Sequence, residues 1–174
     1  MPRGCEQDGY QPLVRSHKLP RLSTLVHAHA HAPRGVLRTK ESTMPERSVI
    51  VADKAPAALG PYSAAVRVGP FVYCSGQTPI VPETGELVEG SVACQTTQAL
   101  QNVSAVLEAA GLTLADVVKT TVFLTDMDDF AKMNGVYAEF FAEPFPARST
   151  VAVKALPKAA SVEIEVIAVA SSPR

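Results

Sequence analysis

The chain has no tryptophan, and beyond residue 31 it has no histidine either. All four histidines (His17, His27, His29 and His31) fall within the first 43 residues. A folded region over 44–174 therefore has no imidazole for a general base, a Ser-His-Asp triad or a histidine-ligated metal. Cysteine is also scarce. Cys5, Cys74 and Cys94 form no CxxC pair and number three, which supports neither a zinc site nor a disulfide framework. Free thiols in a reducing compartment are the simpler expectation. No apolar run approaches the ~18–20 residues that cross a bilayer. These absences together predict a soluble, cytoplasmic protein with no membrane partner.

The 174 residues suffice for one domain of ordinary size and a tail. The net charge of -1 conceals a split. Residues 1–43 carry seven Lys/Arg and three Asp/Glu, whereas 44–174 carry nine and fourteen, or −5. A negative domain is a poor surface for tracking phosphates, which speaks against nucleic acid as a partner. The first 43 residues hold Pro2, Pro12, Pro20 and Pro33, one aromatic residue (Tyr10), and a His-Ala repeat from His27 to Ala32. Such a segment has little apolar surface to offset the entropy of ordering it. Three readings stay open for it: a disordered leader, an upstream stretch read in error with Met44 as the true start, or a transit peptide that would make the protein mitochondrial. The three alternating histidines need not bind metal on a flexible tract.

From Met44 the pattern is orderly. Val49–Ala52 is a short extended run. Ala64–Val68 and Phe71–Ser75 flank Gly69-Pro70 as a hairpin. Ser91 stands before a helix whose apolar positions (Ala99, Leu100, Val103, Val106, Leu107 and Ala110) recur at helical spacing up to Gly111. Val117–Leu124 reads as a strand. Thr125 or Asp126 caps a second helix with Phe130, Met133, Val136, Tyr137, Phe140 and Phe141 on one face. Strands near 148–153 and 162–169 follow, joined across Leu156-Pro157-Lys158. The order β-ββ-α-β-α-ββ predicts an α+β domain over 44–174, with two helices on one face of a sheet.

Few segments carry chemistry. Asp126-Met127-Asp128-Asp129 resembles a cation site, but carboxylates at a helix start cap free N–H groups, so no metal is expected there. The dispersed glycines make neither a P-loop nor a GxGxxG pattern. The last strands are more informative. Alternation puts Val151 and Val153 on one face, and Arg148, Thr150 and Ala152 on the other. It likewise separates Val162, Ile164 and Val166 from Glu163 and Glu165, the two carboxylates lying about 7 Å apart. A solvent-facing polar edge explains this pattern. So does a site in which Arg148 clamps a carboxylate and one glutamate beside it moves protons.

Longer segments then match a known family. Gly60-Pro61-Tyr62-Ser63, Ser75-Gly76-Gln77, Glu108-Ala109-Ala110-Gly111-Leu112 and Lys119-Thr120-Thr121-Val122 are similar to segments of the Rid family, the YjgF-like reactive-intermediate imine deaminases. Most specific is Pro146-Ala147-Arg148-Ser149, followed by Leu156-Pro157-Lys158 and Val162-Glu163-Ile164-Glu165. The resemblance covers 55–170 and none of 1–43. It implies a chorismate-mutase-like homotrimer with clefts between subunits. It implies that Arg148 holds a substrate carboxylate and that Glu163 positions or activates water. Tyr62, Ser75 and Asn134 would line the cleft, with Thr150 as a further substrate contact. Thr150 stands where several members have Cys, so a thiol role does not transfer. The Phe141–Pro146 connection is shorter than in some members.

The implied activity is hydrolysis of 2-imino or enamine acids, of the 2-iminobutanoate and 2-iminopropanoate type, to 2-oxo acids and ammonia. It needs a carboxylate fork, a proton shuttle and water, with no cofactor. Two other readings remain: an RNA-cleaving translation inhibitor, or a non-catalytic pocket for small carboxylates or a protein partner. The composition of 1–43 generates a test of its own. A chain beginning at Met44 is expected to melt within about 5 °C of the full-length chain, equivalent to about 1 kcal/mol. A larger drop in the thermal midpoint would mean that the leader contributes to the fold.

Overall fold

Residues 46–170 are described by a computed structural model, so the expected segment 1–43 and the proposed start at Met44 lie outside the described residues. Eight regular elements follow one another: β1 (Arg47–Ile50), β2 (Ala65–Val68), β3 (Phe71–Gln77), α1 (Val92–Ala109), β4 (Val117–Leu124), α2 (Phe130–Phe140), β5 (Ala147–Ala152) and β6 (Val162–Val169). This is the α+β order expected from the pattern. The strands form one six-stranded sheet in the order β1-β2-β3-β6-β4-β5. Every pairing is antiparallel except β4 with β5, whose parallel register is reached by a crossover through α2. β1 lies two residues earlier than expected. The amide of Ala55 donates to the carbonyl of Ala52 in a turn, which takes Val51 and Ala52 out of the ladder.

One face of the sheet is packed and the other is open. Val72 and Cys74, Val122 and Leu124, and Val162, Ile164, Val166 and Ala168 are buried. They meet Ala99, Leu100, Val103, Val106 and Leu107 of α1 and Met133 and Tyr137 of α2, all buried as well. The period-2 pattern of the strands therefore meets the 3.6-residue pattern of the helices in one core. On the opposite face Phe71, Tyr73 and Val151 remain 42%, 46% and 44% exposed. An antiparallel sheet commonly shows water a polar face, so aromatics there mark a surface with an unmet apolar demand.

The helix ends differ in part from their expected capping. Gly111 closes α1 as expected: at φ 72° it lies in the left-handed region, its amide donates to Glu108, and that of Leu112 donates to Leu107. The guanidinium of Arg67 adds a donor to the Ala110 carbonyl. Ser91 precedes α1, but its hydroxyl turns to the Cys94 sulfur at 3.7 Å and caps no backbone N–H. Asp126 does cap, accepting from the Asp128 amide at 2.9 Å, yet what it starts is a short 3-10 turn over Met127–Asp129. α2 begins one turn later. Phe130 consequently sits at its first residue, 36% exposed, and is not a core residue as its spacing suggested.

The connection from β5 to β6 holds two consecutive non-glycine residues in the left-handed region, Lys158 at φ 55° and Ala159 at φ 58°. The Lys158 ammonium anchors this turn by donating to the Gly85 carbonyl at 2.6 Å. A Cβ in that region costs about 1–2 kcal/mol, partly offset by the greater chain entropy that glycine loses on folding. Ala159→Gly is therefore expected to stabilise the chain by about 0.5–1 kcal/mol, raising the thermal midpoint by roughly 2–4 °C. An unchanged or lower midpoint would show that the turn carries no such strain.

Candidate functional site

Glu163 lies on β6 opposite Phe123 of β4, on the open face of the sheet. Beside it β3 is irregular. The β3–β6 register shifts between Cys74 and Gln77, so Ser75 and Gly76 bulge out of the ladder. The Glu163 side chain fills the space that this bulge leaves at Gly76. A Cβ on residue 76 would stand 2.8 Å from the carboxyl carbon and 3.0 Å from Cγ of Glu163. Glycine leaves room here for the Glu163 carboxylate, which a Cβ would push aside, and its dihedral freedom is not what the position uses.

A cavity of about 300 Å³ opens at this contact, lined by Leu59, Tyr62, Ser75, Thr78 and Pro157 together with Gly76 and Glu163. The Tyr62 hydroxyl accepts from the Leu59 amide at 3.2 Å, and the Ser75 hydroxyl donates to the Ser63 carbonyl at 2.7 Å. Both hydroxyls are fixed while lone pairs or protons remain for a guest. Burial raises the pKa of Glu163, and the negative charge of Glu165 raises it further. Among the described residues no cation pairs with this carboxylate.

Arg148 occupies the other side of the sheet. On β5 it pairs with buried Thr120, which places its side chain on the helix-bearing face. There its guanidinium donates to Asn134 Oδ1 at 2.7 Å and lies 4.4 Å from the centre of the Tyr137 ring and 5.7 Å from that of Phe130. The Tyr137 hydroxyl is itself held by Thr120 at 2.9 Å, so the ring is a fixed platform. Burial raises the Tyr137 pKa, against the opposing effects of the Thr120 hydrogen bond and the Arg148 charge. Arg148 is thus oriented by a neutral amide and two aromatic faces, with no carboxylate partner among the described residues. That leaves most of its planar fork available to an anion. Thr150 follows on the same face, opposite Val122, and its buried hydroxyl has no hydrogen-bond partner.

The six candidate residues therefore form two groups. Glu163, Tyr62 and Ser75 share the cavity on the open side, whereas Arg148, Asn134 and Thr150 gather against α2. Among the described residues of one chain Arg148 has no glutamate beside it. β4 links Arg148 and Glu163 in register, but through Thr120 on one face and Phe123 on the other. Alternation within each strand was readable, but the relation between two strands that both pair with β4 was not. Sequence reasoning also missed three contributors. Tyr137 and Phe130 were assigned to a core face yet frame Arg148, and Gly76 carried no signal of its contact with Glu163.

Comparison with known proteins adds a consistent set of relatives. The protein family described as Endoribonuclease L-PSP matches residues 52–170. A RutC family protein of Pyrococcus horikoshii is 54% identical over 122 residues, covering 70% of this chain and 97% of that protein. A protein of Escherichia coli named 2-iminobutanoate/2-iminopropanoate deaminase is 52% identical over 123 residues, covering 69% of this chain and 95% of its own length. Among solved structures, E. coli TdcF with bound serine superposes with a TM-score of 0.68 at 46% identity, covering 71% of this chain and 99% of that one.

The contact between Gly76 and Glu163 can be tested without reference to activity. The backbone of Gly76 lies outside the left-handed region, so Gly76→Ala introduces a clash and no dihedral penalty. It is expected to destabilise by about 1–3 kcal/mol in denaturant unfolding. In a Glu163→Ala background most of that loss should vanish, a coupling of at least about 1 kcal/mol. Additive effects within about 0.5 kcal/mol would refute the contact.

Proposed function

Because the chain belongs to the Rid family, the group also named YjgF, RutC or L-PSP, we propose that it hydrolyses 2-imino and enamine acids to 2-oxo acids and ammonia. The observation that carries this reading is the Arg148 guanidinium, oriented by Asn134 and Tyr137 and without a carboxylate partner among the described residues. Such a fork binds a carboxylate in two parallel hydrogen bonds and fixes the plane of the atoms attached to it. The buried, partnerless hydroxyl of Thr150 stands next to it on β5 to receive or donate one more hydrogen bond.

Glu163 supplies the chemistry. Water adds to the C=N carbon as Glu163 takes one of its protons, forming a new C–O bond and moving the π electrons to nitrogen. That proton passes to nitrogen, and Glu163 then takes the proton of the new hydroxyl and delivers it to the amino nitrogen, so that the C–N bond breaks and ammonia leaves as the C=O bond forms. A carboxylate whose proton affinity is raised by burial suits both transfers. Tyr62 and Ser75 border the space in which the water and the leaving nitrogen would sit. The residues that perform these steps need no metal or cofactor.

Since Arg148 and Glu163 project from opposite faces, one substrate can meet both only where two copies of the chain adjoin. We therefore propose a homotrimer, the assembly that the family resemblance implies, with clefts between subunits. The exposed Phe71, Tyr73 and Val151 support such association. The cleft rim and the preferred imine would depend on contacts across that boundary.

The reading is tested by coupling a serine or threonine dehydratase to the protein and following imine loss with a trapping amine. Wild type is expected to accelerate that loss. Arg148→Lys keeps the charge but loses the fork, so activity should fall steeply. Glu163→Gln keeps the shape and removes proton transfer, at a loss of roughly 10²–10⁴ in rate. Thr150→Ala should cost far less. If wild type does not accelerate imine loss, or if both the Arg148 and Glu163 variants stay fully active, the deaminase reading is wrong. Carboxylate binding without turnover would then favour a binding module, and salt-dependent cleavage of RNA a nuclease.

A further inference from the structure

The polar side of α1 is unusual for a helix that faces a core. Asn102 is 1% exposed, yet every hydrogen bond of its amide is directed. Nδ2 donates to the Thr78 carbonyl at 3.0 Å and to the Ile80 carbonyl at 2.8 Å, and Oδ1 accepts from Gln98 Nε2 at 3.0 Å. The Gln98 contact fixes which end of the amide faces the loop. The loop needs those donors. β3 has ended at Gln77; the Thr78 carbonyl also accepts from the Ile80 amide at 2.8 Å, whereas the Ile80 carbonyl turns inward to Asn102 without a ladder partner. Two turns earlier on the same helix, Gln95 accepts from the Ser161 amide at 2.7 Å, two residues before Glu163. α1 thus grips both walls of the cavity: the Ser75–Thr78 wall through Asn102 and the start of β6 through Gln95.

We propose that Asn102 is a positioning residue, which holds the Ser75–Thr78 wall in register with the Glu163 carboxylate through its two hydrogen bonds to the 78–80 loop. It touches no substrate. Its effect passes through Gly76, where the wall and the carboxylate are in contact, and through Thr78, which lines the cavity. Because Arg148 lies on the other face and makes no contact with this loop, loss of Asn102 should disturb the chemical step and spare carboxylate binding. The proposal rests on the reading of Glu163 as the proton-transfer group.

The experiment compares full-length wild type, Asn102→Ala and Val106→Ala. Val106 is fully buried one turn further along α1 and belongs to the apolar core. Both variants should lower the thermal midpoint, but only Asn102→Ala should lower kcat, by about 10–100-fold, with KM within about threefold. Asn102→Ser retains one donor, is the milder variant should the alanine fail to fold, and should give an intermediate kcat. Hydrogen exchange of peptides spanning 75–80 supplies a readout independent of turnover. It should quicken at least about tenfold in Asn102→Ala and stay unchanged in Val106→Ala. A kcat for both Asn102 variants within twofold of the Val106→Ala value would overturn the proposal, and so would unaltered exchange at 75–80. Absence of turnover in wild type would instead defeat the deaminase reading, and the exchange result would then decide alone whether Asn102 holds the wall.

Discussion

Side chains on a strand alternate between two faces, and strands in register share those faces. In this sheet β4 pairs with both functional strands, aligning Thr120 with Arg148 and Phe123 with Glu163. The odd offset of three between Thr120 and Phe123 sends the guanidinium toward the helices and the carboxylate toward the open face. A shift of one residue in either register would bring them to the same side, but it would also turn Val162, Ile164 and Val166, or Thr150, out of their present settings. The buried face of β6 therefore fixes which side of the sheet Glu163 takes.

Each charged group has its own support. Arg148 is framed by α2, where a neutral amide and aromatic faces orient the fork without neutralising it. Glu163 is framed by the β3 bulge, where the missing side chain of Gly76 admits the carboxylate into a partly dry position. The helices divide their residues between packing and polar anchoring. α1 buries Leu100 and Leu107 in the core, and its Gln95 and Asn102 hold loops at the cavity. Tyr137 combines the two roles, buried in the core while its ring carries Arg148.

These divided roles explain what the sequence revealed and what it hid. The α+β order, the bounds of β4 and β6 and the buried face of α1 follow from short-range periodicity and could be read directly. Glu163 and Glu165 stand out because carboxylates on an apolar strand are costly, and the choice of Glu163 between them rests on the family resemblance. The start of α2 was misplaced because Asp126 caps a 3-10 turn with the same chemistry that caps an α-helix. The spacing that places Tyr137 correctly in the core also places Phe130 there, because an aromatic that packs and one that supports a cation obey the same period. Beyond the β2–β3 hairpin the strand order is not legible, since it is set by long-range pairing, and with it goes the opposition of Arg148 and Glu163.

That opposition has an electrostatic consequence for any ligand. An arginine and a glutamate adjacent on one face, partly buried, would pair with each other, and a carboxylate ligand would have to break that pair to bind. Kept on opposite faces, neither can satisfy the other within the chain. Glu163 holds its proton more tightly than a free carboxylate, and Arg148 has only a neutral hydrogen-bond acceptor and aromatic rings. Both sites remain short of charge compensation, which favours binding of whatever supplies it. On the proposed reading Arg148 obtains it from the substrate carboxylate, and the groups converge only across a boundary between copies. Assembly then creates the site without first burying its charges against each other, and among the described residues the cation and the acid can each stay unpaired until a ligand arrives.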